Sequence, residues 1–206
     1  VNDSSTGGFL RQTNALPLND AALDAVLQQL VVGVTGLPGS LVRPRWQRPD
    51  TDPNTPPTQP AVNVDWCSIG ILNQIPHDFP YEYHTGDGDG YDTQVTWETL
   101  DVMASFYGPN CRNNAAVLRS GLYINQNRES LISYGIKLRE AGTMTLVPDL
   151  VNVQWLSRCD LTIILDREII RVYPILNLES VQGGISTDSE TPLLSNKIIV
   201  TNPMPV

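Results

Sequence analysis

From Leu23 the apolar positions recur at three- and four-residue intervals: Leu23, Val26, Leu27, Leu30 and Val34. That spacing lines one face of a helix. It predicts a helix opened by Asn19 or Asp20 and stopped at Gly36, with Pro38 unable to continue it. Residues 1–18 show no such period. They are rich in Asn, Ser, Thr and Gly and read as a flexible N-terminal arm. Residues 37–60 are proline-rich, with prolines at 44, 49, 53, 56, 57 and 60, which excludes a helix or an inner strand. A loop of that length inside one domain is commonly functional or mobile.

Alternation takes over after Val62. The run VNVDWCSIGILNQI predicts a strand with Trp66, Ser68, Gly70 and Leu72 on one face. HTGDGDGYD supplies turn chemistry, and a long extended run follows from Thr93 to Tyr107. Within it Val95 and Trp97 share one parity, while Leu100, Val102, Ala104 and Phe106 share the other. Such a slip predicts a bulge near Thr99, because one added residue exchanges the faces. Together these segments predict an antiparallel hairpin. Gly108-Pro109 ends it, and Asn110 opens a helix carrying Ala115, Leu118 and Leu122. A shorter helix spans about Arg128 to Tyr134 and stops at Gly135. Ile136 to Val147 predicts a further strand. Trp155 to Tyr173 predicts a long one, in which Cys159, Leu161, Ile163 and Leu165 alternate with Asp160, Thr162, Ile164 and Asp166. Its far end, of mixed polarity, is expected to project beyond the sheet. After Leu178 the chain is polar and then closes on the apolar, proline-broken IIVTNPMPV, which reads as an arm needing something to pack on.

Composition narrows the function classes. Acids outnumber bases by 22 to 13, giving a net charge of −9, and a field of that sign repels nucleic acid instead of gripping its phosphates. Charged residues make up only 17% of the 206, which suits a surface that ends against neighbours. No apolar run approaches the ~18–20 residues of a membrane span; the longest candidate, Leu27 to Val34, holds two Gln and a Gly. Cys67, Cys111 and Cys159 are odd in number, widely spaced and without a C-x-x-C pair. With no charged-then-apolar leader pattern at the start, they read as reduced, buried thiols of a protein assembled in a cytoplasm.

Candidate chemistry is sparse. Counting from Asp87, acids occupy positions one and three (Asp87, Asp89) and Glu98 falls at twelve, as in a calcium loop. Position five is Tyr91, position six is Asp92 where Gly is required, and both flanks read as strands, so a hairpin turn explains the glycines better. His77 and His84 lack any H-x-x-x-H spacing and any G-x-S-x-G partner. Gly183-Gly184-Ile185-Ser186 lies in the C-terminal arm. Gly33, Gly36 and Gly39 end a helix where a phosphate cradle needs one to begin. Arg43-Pro44-Arg45-Trp46 is a small basic spot better suited to an interface than to phosphate. No catalytic, cofactor-binding or metal-ligating residue is assigned.

Several phrases in series carry more weight. They are LVVGVTGLPG (30–39), LVRPRWQ (41–47), DWCSIGI (65–71), ETLDVMASFYGPN (98–110), LRSGL (118–122), NQNRE (125–129), VNVQWL (151–156) and RVYPILNL (171–178). In this order the chain resembles the phage neck terminator family of tailed bacteriophages and their prophages, over about residues 23–178. The resemblance implies a small α+β subunit in a closed sixfold ring between the head connector and the tail tube, with no catalytic residue to carry over. It also implies head connector or collar proteins, the tail tube and possibly the sheath as partners, and the virion neck as the location. The charge of −9 fits a lumen through which DNA passes without adhering.

The resulting expectation is an α+β fold: an antiparallel sheet with helices packed on it. A core of residues 19–178, interrupted by the proline-rich loop 37–60, is flanked by arms at 1–18 and 179–206. The function expected is a ring that terminates the tail tube and joins it to the head. The alternatives are a head-completion or tail-tube subunit, then a calcium-dependent binding module using Asp87, Asp89 and Glu98, and last an enzyme using His77 or His84. Calcium titration by calorimetry separates the binding module from the ring subunit.

Overall fold

The computed structural model describes residues 2–46, 59–151, 154–178, 180–183 and 198–201. Its elements run α1 (Asp20–Thr35), a 3₁₀ turn (Gly39–Leu41), β1 (Val42–Pro44), β2 (Trp66–Pro76), β3 (Tyr81–Thr85), β4 (Tyr91–Tyr107), α2 (Cys111–Gly121), α3 (Asn125–Ile132), β5 (Ile136–Val151), β6 (Gln154–Tyr173), β7 (Ser180–Gly183) and β8 (Ile198–Thr201). The order in the main sheet is β1-β2-β4-β6-β5, with β3 also on β4; β7 and β8 form a separate antiparallel pair. The α+β class is as expected. The sheet is mixed, because β1 joins β2 in parallel while β2–β4 and β5–β6 are antiparallel. β1 falls inside the segment expected to be a loop. Its Pro44 is tolerated because β1 is an edge strand, where a missing N–H costs no ladder bond. Residues 47–58 of that segment, and most of the C-terminal arm, lie outside the described residues.

The chain divides into two compact units: Leu16–Tyr81 with Val95–Ile170, and Val1–Ala15 with Glu82–Gln94 and Arg171–Val206. The first holds the hydrophobic core. Leu23, Leu27, Leu30 and Val31 of α1 pack with Cys67 and Ile69 of β2, the even positions Leu100 to Phe106 of β4, and the odd positions Cys159 to Leu165 of β6. Cys111, Ala115, Leu118, Leu122 and Leu131 close the layer from α2 and α3. The αL glycine at the end of α1 is Gly36, φ 74°, whose N–H returns to the Val32 carbonyl. Where α1 meets α2, a Cβ on Gly121 would lie 2.3 Å from Val34, so only glycine permits that approach.

The predicted hairpin is present, with its first strand broken in two. β2 pairs with Glu98–Tyr107 of β4, and β3 also pairs with β4. The side-chain bonds Glu82–Gln94 and His84–Asp92 span the β3 and β4 arms. Burial along β4 changes phase between Val95 and Glu98, as the sequence pattern indicates. The register break in the β2–β4 ladder, however, falls on the opposite strand at Leu72, between Ile71 and Asn73, and not at Thr99. The extra residue at Leu72 interrupts the alternation of β2, which the phase along β4 does not report.

In the second unit, residues 2–14 run beside the end of β6. Thr13 N–H donates to the Val172 carbonyl, Val172 N–H to Asn14 Oδ1, and Ser4 N–H to the Pro174 carbonyl.

Candidate functional site

Several phrases of the resemblance resolve into structural devices. In DWCSIGI, Asp65 accepts from both the backbone and the side-chain amide of Asn110, at 2.8 Å each, which fixes the start of α2. Gly108 (φ 101°) sits so close that a Cβ there would lie 2.6 Å from Asp65 Oδ1 and from the Val64 carbonyl. The phrase FYGPN and the phrase DWCS are therefore two halves of one joint. Trp66 stacks on Tyr107 at 4.1 Å, and the Arg158 guanidinium lies over the same Tyr107 ring while pairing with Asp160.

The basic spot is similarly occupied. Arg45 N–H bonds the Ile69 carbonyl, its guanidinium reaches Ser105 Oγ at 2.9 Å, and Trp46 Nε1 donates to the Ile71 carbonyl. A Cβ on Gly70 would meet Arg45 Cβ at 2.7 Å, so Arg45 packs directly over that glycine. Arg45 and Trp46 thus continue the sheet edge past β1.

Glu98 does not serve as the twelfth ligand of a calcium loop. Its carboxylate is buried, engages the Arg167 guanidinium and accepts from Gln74 at 2.6 Å. Arg167, 2% exposed, also donates to the Leu18 carbonyl and to Asn19 Oδ1. Asn19 is the residue ahead of α1, and its side chain makes no capping bond to the helix because Arg167 takes it. This one cation ties β6, β4 and the start of α1 together. Sequence reading passed over it; the available signal was its place at an odd, core-facing position of β6 in line with Cys159 to Leu165.

Asp87 and Asp89 belong to a turn that Asn177 clamps from outside. Asn177 N–H donates to the Asp89 carbonyl, and its side-chain amide donates to the Gly86 and Gly88 carbonyls. The same side chain's Oδ1 lies 2.8 Å from His84 Nε2, and His84 Nδ1 lies 2.5 Å from Asp92. Bonds from Asn177 and Asp92 raise the His84 pKa above its ordinary value. Asn177 is the Asn of RVYPILNL, so that phrase is a turn clamp. His77 is exposed and shares a bond with Thr99 Oγ1 at 3.1 Å. The cysteines are unbridged and buried, and burial raises each of their pKa values, Cys67 most strongly. Gly33, Gly36 and Gly39 lie at the end of α1 and in the turn after it, and Gly184 to Ser186 fall outside the described residues. Among the described residues no three of His, Cys, Asp or Glu converge as a metal site, and no helix is long and apolar enough to cross a membrane.

What the residues build is a framework: joints, clamps and a buried ionic tie that hold an α+β scaffold and leave large side chains on its surface. Such a protein acts through its surfaces. The family model of the phage neck terminator protein matches residues 21–189, and the chain belongs to that family. Its role is structural, in the neck and tail of a bacteriophage particle. No functionally curated protein matches the chain.

Proposed function

We propose that this chain assembles with copies of itself into a closed ring, six subunits in number, that terminates the tail tube and joins it to the head connector. The observation that carries the reading is the family match, which runs through the whole helix-and-sheet core and its joints. Two features support it. The β5–β6 hairpin carries Leu146, Leu150 and Trp155 exposed, Trp155 to 72%, and apolar side chains in that position call for a partner. The net charge of −9 gives a ring an overall negative field, under which DNA passes without adhering. A head-to-tail contact that closes by rotation yields a ring of this kind.

A reconstruction of the intact particle tests it. The expected density is a ring of copies, each touching two neighbours, at the head-proximal end of the tail tube. One isolated copy, or copies touching only other proteins, overturns the ring. Copies stacked along the tube, or seated within the head opening, transfer the chain to a tail-tube or head-completion role.

A further inference from the structure

Charge is distributed unevenly along this chain. Between Pro49 and Cys111 there are ten acidic residues and no Lys or Arg. From Arg112 to Arg139 the balance reverses, with five cations against Glu129 alone. The structure converts these runs into two surfaces. The acidic run includes the β3–β4 turn, where Glu82, Asp87 and Asp89 are exposed. The Asn177 clamp holds the turn's backbone in one shape, so little ordering cost remains when its carboxylates meet a partner. Of the basic run, Arg112, Arg119 and Arg128 lie on α2 and α3, while Lys137 and Arg139 fall at the start of β5. On α2 the buried positions are Cys111, Ala115 and Leu118. Arg112 and Arg119, seven residues apart, share an exposed flank beside that buried face, where Arg119 Nε donates to the Gly142 carbonyl at 2.9 Å. Directly after them, at the α2–α3 junction, Tyr123 and Ile124 are 54% and 55% exposed. Tyrosine and arginine beside apolar side chains make the composition of a protein interface, not that of a solvated helix face.

We infer that the α2–α3 face, with Arg112, Arg119, Tyr123 and Ile124, receives the acidic β3–β4 turn of the next copy of this chain. The inference rests on the ring reading and deepens it by naming the two surfaces that meet. Charge complementarity selects the occupant, since the longest cation-free stretch of the chain and the cation-rich stretch that follows it each present an exposed surface. The two surfaces are different, so the contact is heterologous and propagates from copy to copy, as a ring requires. The charge of the assembled ring stays negative whichever surfaces meet, because each copy brings its −9.

The test uses phage particles whose only source of this protein is the full chain or a variant supplied in trans. Asp87→Lys with Asp89→Lys reverses the turn, and Arg112→Glu with Arg119→Glu reverses the helical face. Each pair alone places like charges in every contact, and the expected loss of tail-joined particles is at least ~10-fold. Combining all four changes in one chain restores opposite signs and is expected to recover particles to within ~3-fold of the parent. Supplying the two pair variants together is also expected to rescue assembly, by alternating around a ring with an even number of subunits. Full assembly by either pair variant alone, or failure of both rescues while the variants melt like the parent, overturns the proposed contact. Rescue by the mixture cannot come from a variant that merely fails to fold. Should the parent particle show a ring whose copies meet elsewhere, only this contact falls; should it show no contact between copies, the ring reading falls with it.

Discussion

The two units are held together by different means. In Leu16–Tyr81 with Val95–Ile170, a continuous layer of fully buried aliphatic side chains surrounds Phe106, and the charged pair Arg167–Glu98 sunk into it is hydrogen-bonded on several sides. In Val1–Ala15 with Glu82–Gln94 and Arg171–Val206, the described contacts are mostly polar: main-chain bonds beside β6, and the Asn177 clamp on the glycine-rich turn. The first arrangement is cooperative, because removing any part leaves a void or an unpaired charge in a dry interior. The second is made of bonds that water can replace. A rigid core and a clamped surface turn answer mutation differently, and that difference can be tested.

The hardest blow to the first unit is Arg167→Ala. It leaves Glu98 buried without its cation and strips donors from Leu18 and Asn19, for an expected cost of about 3–5 kcal/mol. In calorimetry this appears as a fall of roughly 10 °C in melting temperature. The double change Arg167→Met with Glu98→Leu is expected to recover most of it, since an apolar pair of similar volume avoids the desolvation cost. A single variant that melts like the parent would remove the ionic tie from the account of this unit. By contrast Arg139, whose pair with Asp166 is exposed, is expected to contribute no more than about 1 kcal/mol.

Gly108→Ala strikes the joint between β4 and α2. The new Cβ must displace Asp65 or the Val64 carbonyl while the backbone holds φ 101°, at an expected cost of about 1–3 kcal/mol. Urea unfolding measures it, with a lowered midpoint and unchanged slope as the expected result. Unchanged stability would mean that the loop before β2 yields, and that the Asp65–Asn110 bonds are not a fixed joint.

Asn177→Ala sharpens the comparison from the other side. It deletes the side-chain bonds to Gly86, Gly88 and His84, yet it touches none of the apolar layer. Global unfolding is expected to shift by about 1 kcal/mol or less. Hydrogen exchange at the Gly90 amide is expected to quicken while exchange at the Phe106 amide stays unchanged, because local and global opening are separate events. Equal acceleration at both sites would show the two units opening as one.

The same contrast explains what the sequence disclosed. Periodicity made α1, α2, the long strands and their buried faces legible, since Leu23 to Leu30 and Cys159 to Leu165 advertise burial by their spacing alone. Phase along β4 revealed a change of face but not that the register break sits at Leu72 on β2. β1 was hidden because three residues ending in Pro44 carry no period, and their pairing depends on a parallel partner more than twenty residues away. Arg167 and Asn177 were hidden for another reason. Each acts across a separation of about seventy to a hundred and fifty residues, and a polar side chain bears no local mark of the carbonyl or carboxylate it will reach. The glycines of the Asp turn were read correctly as turn chemistry. Their clamp, Asn177, carries no mark in the sequence beyond its place in RVYPILNL.

The smallest expected effect concerns His84, and it tests the clamp most directly. The Asn177 amide group donates to two carbonyls, Gly86 and Gly88, which can only accept, so its Oδ1 must be the atom facing His84 Nε2. An acceptor there requires a proton on Nε2, and the Asp92 carboxylate requires one on Nδ1. Only the imidazolium satisfies both, which is why the pKa stands above the ordinary 6.5, first through Asn177 and then through Asp92. The folded state therefore keeps a proton that the unfolded chain releases at lower pH. The stability this contributes is complete below about pH 6.5 and disappears as pH rises through the raised folded value. Nuclear magnetic resonance of the ring protons measures that value, with His77 as the second signal in the same spectrum. Asn177→Ala and Asp92→Asn are each expected to lower it toward 6.5, since each removes one acceptor that holds the charged ring. If His84 in the parent titrates at or below 6.5, the ring is neutral in the fold, one of its two bonds is absent, and the turn is clamped by the Asn177 donors alone.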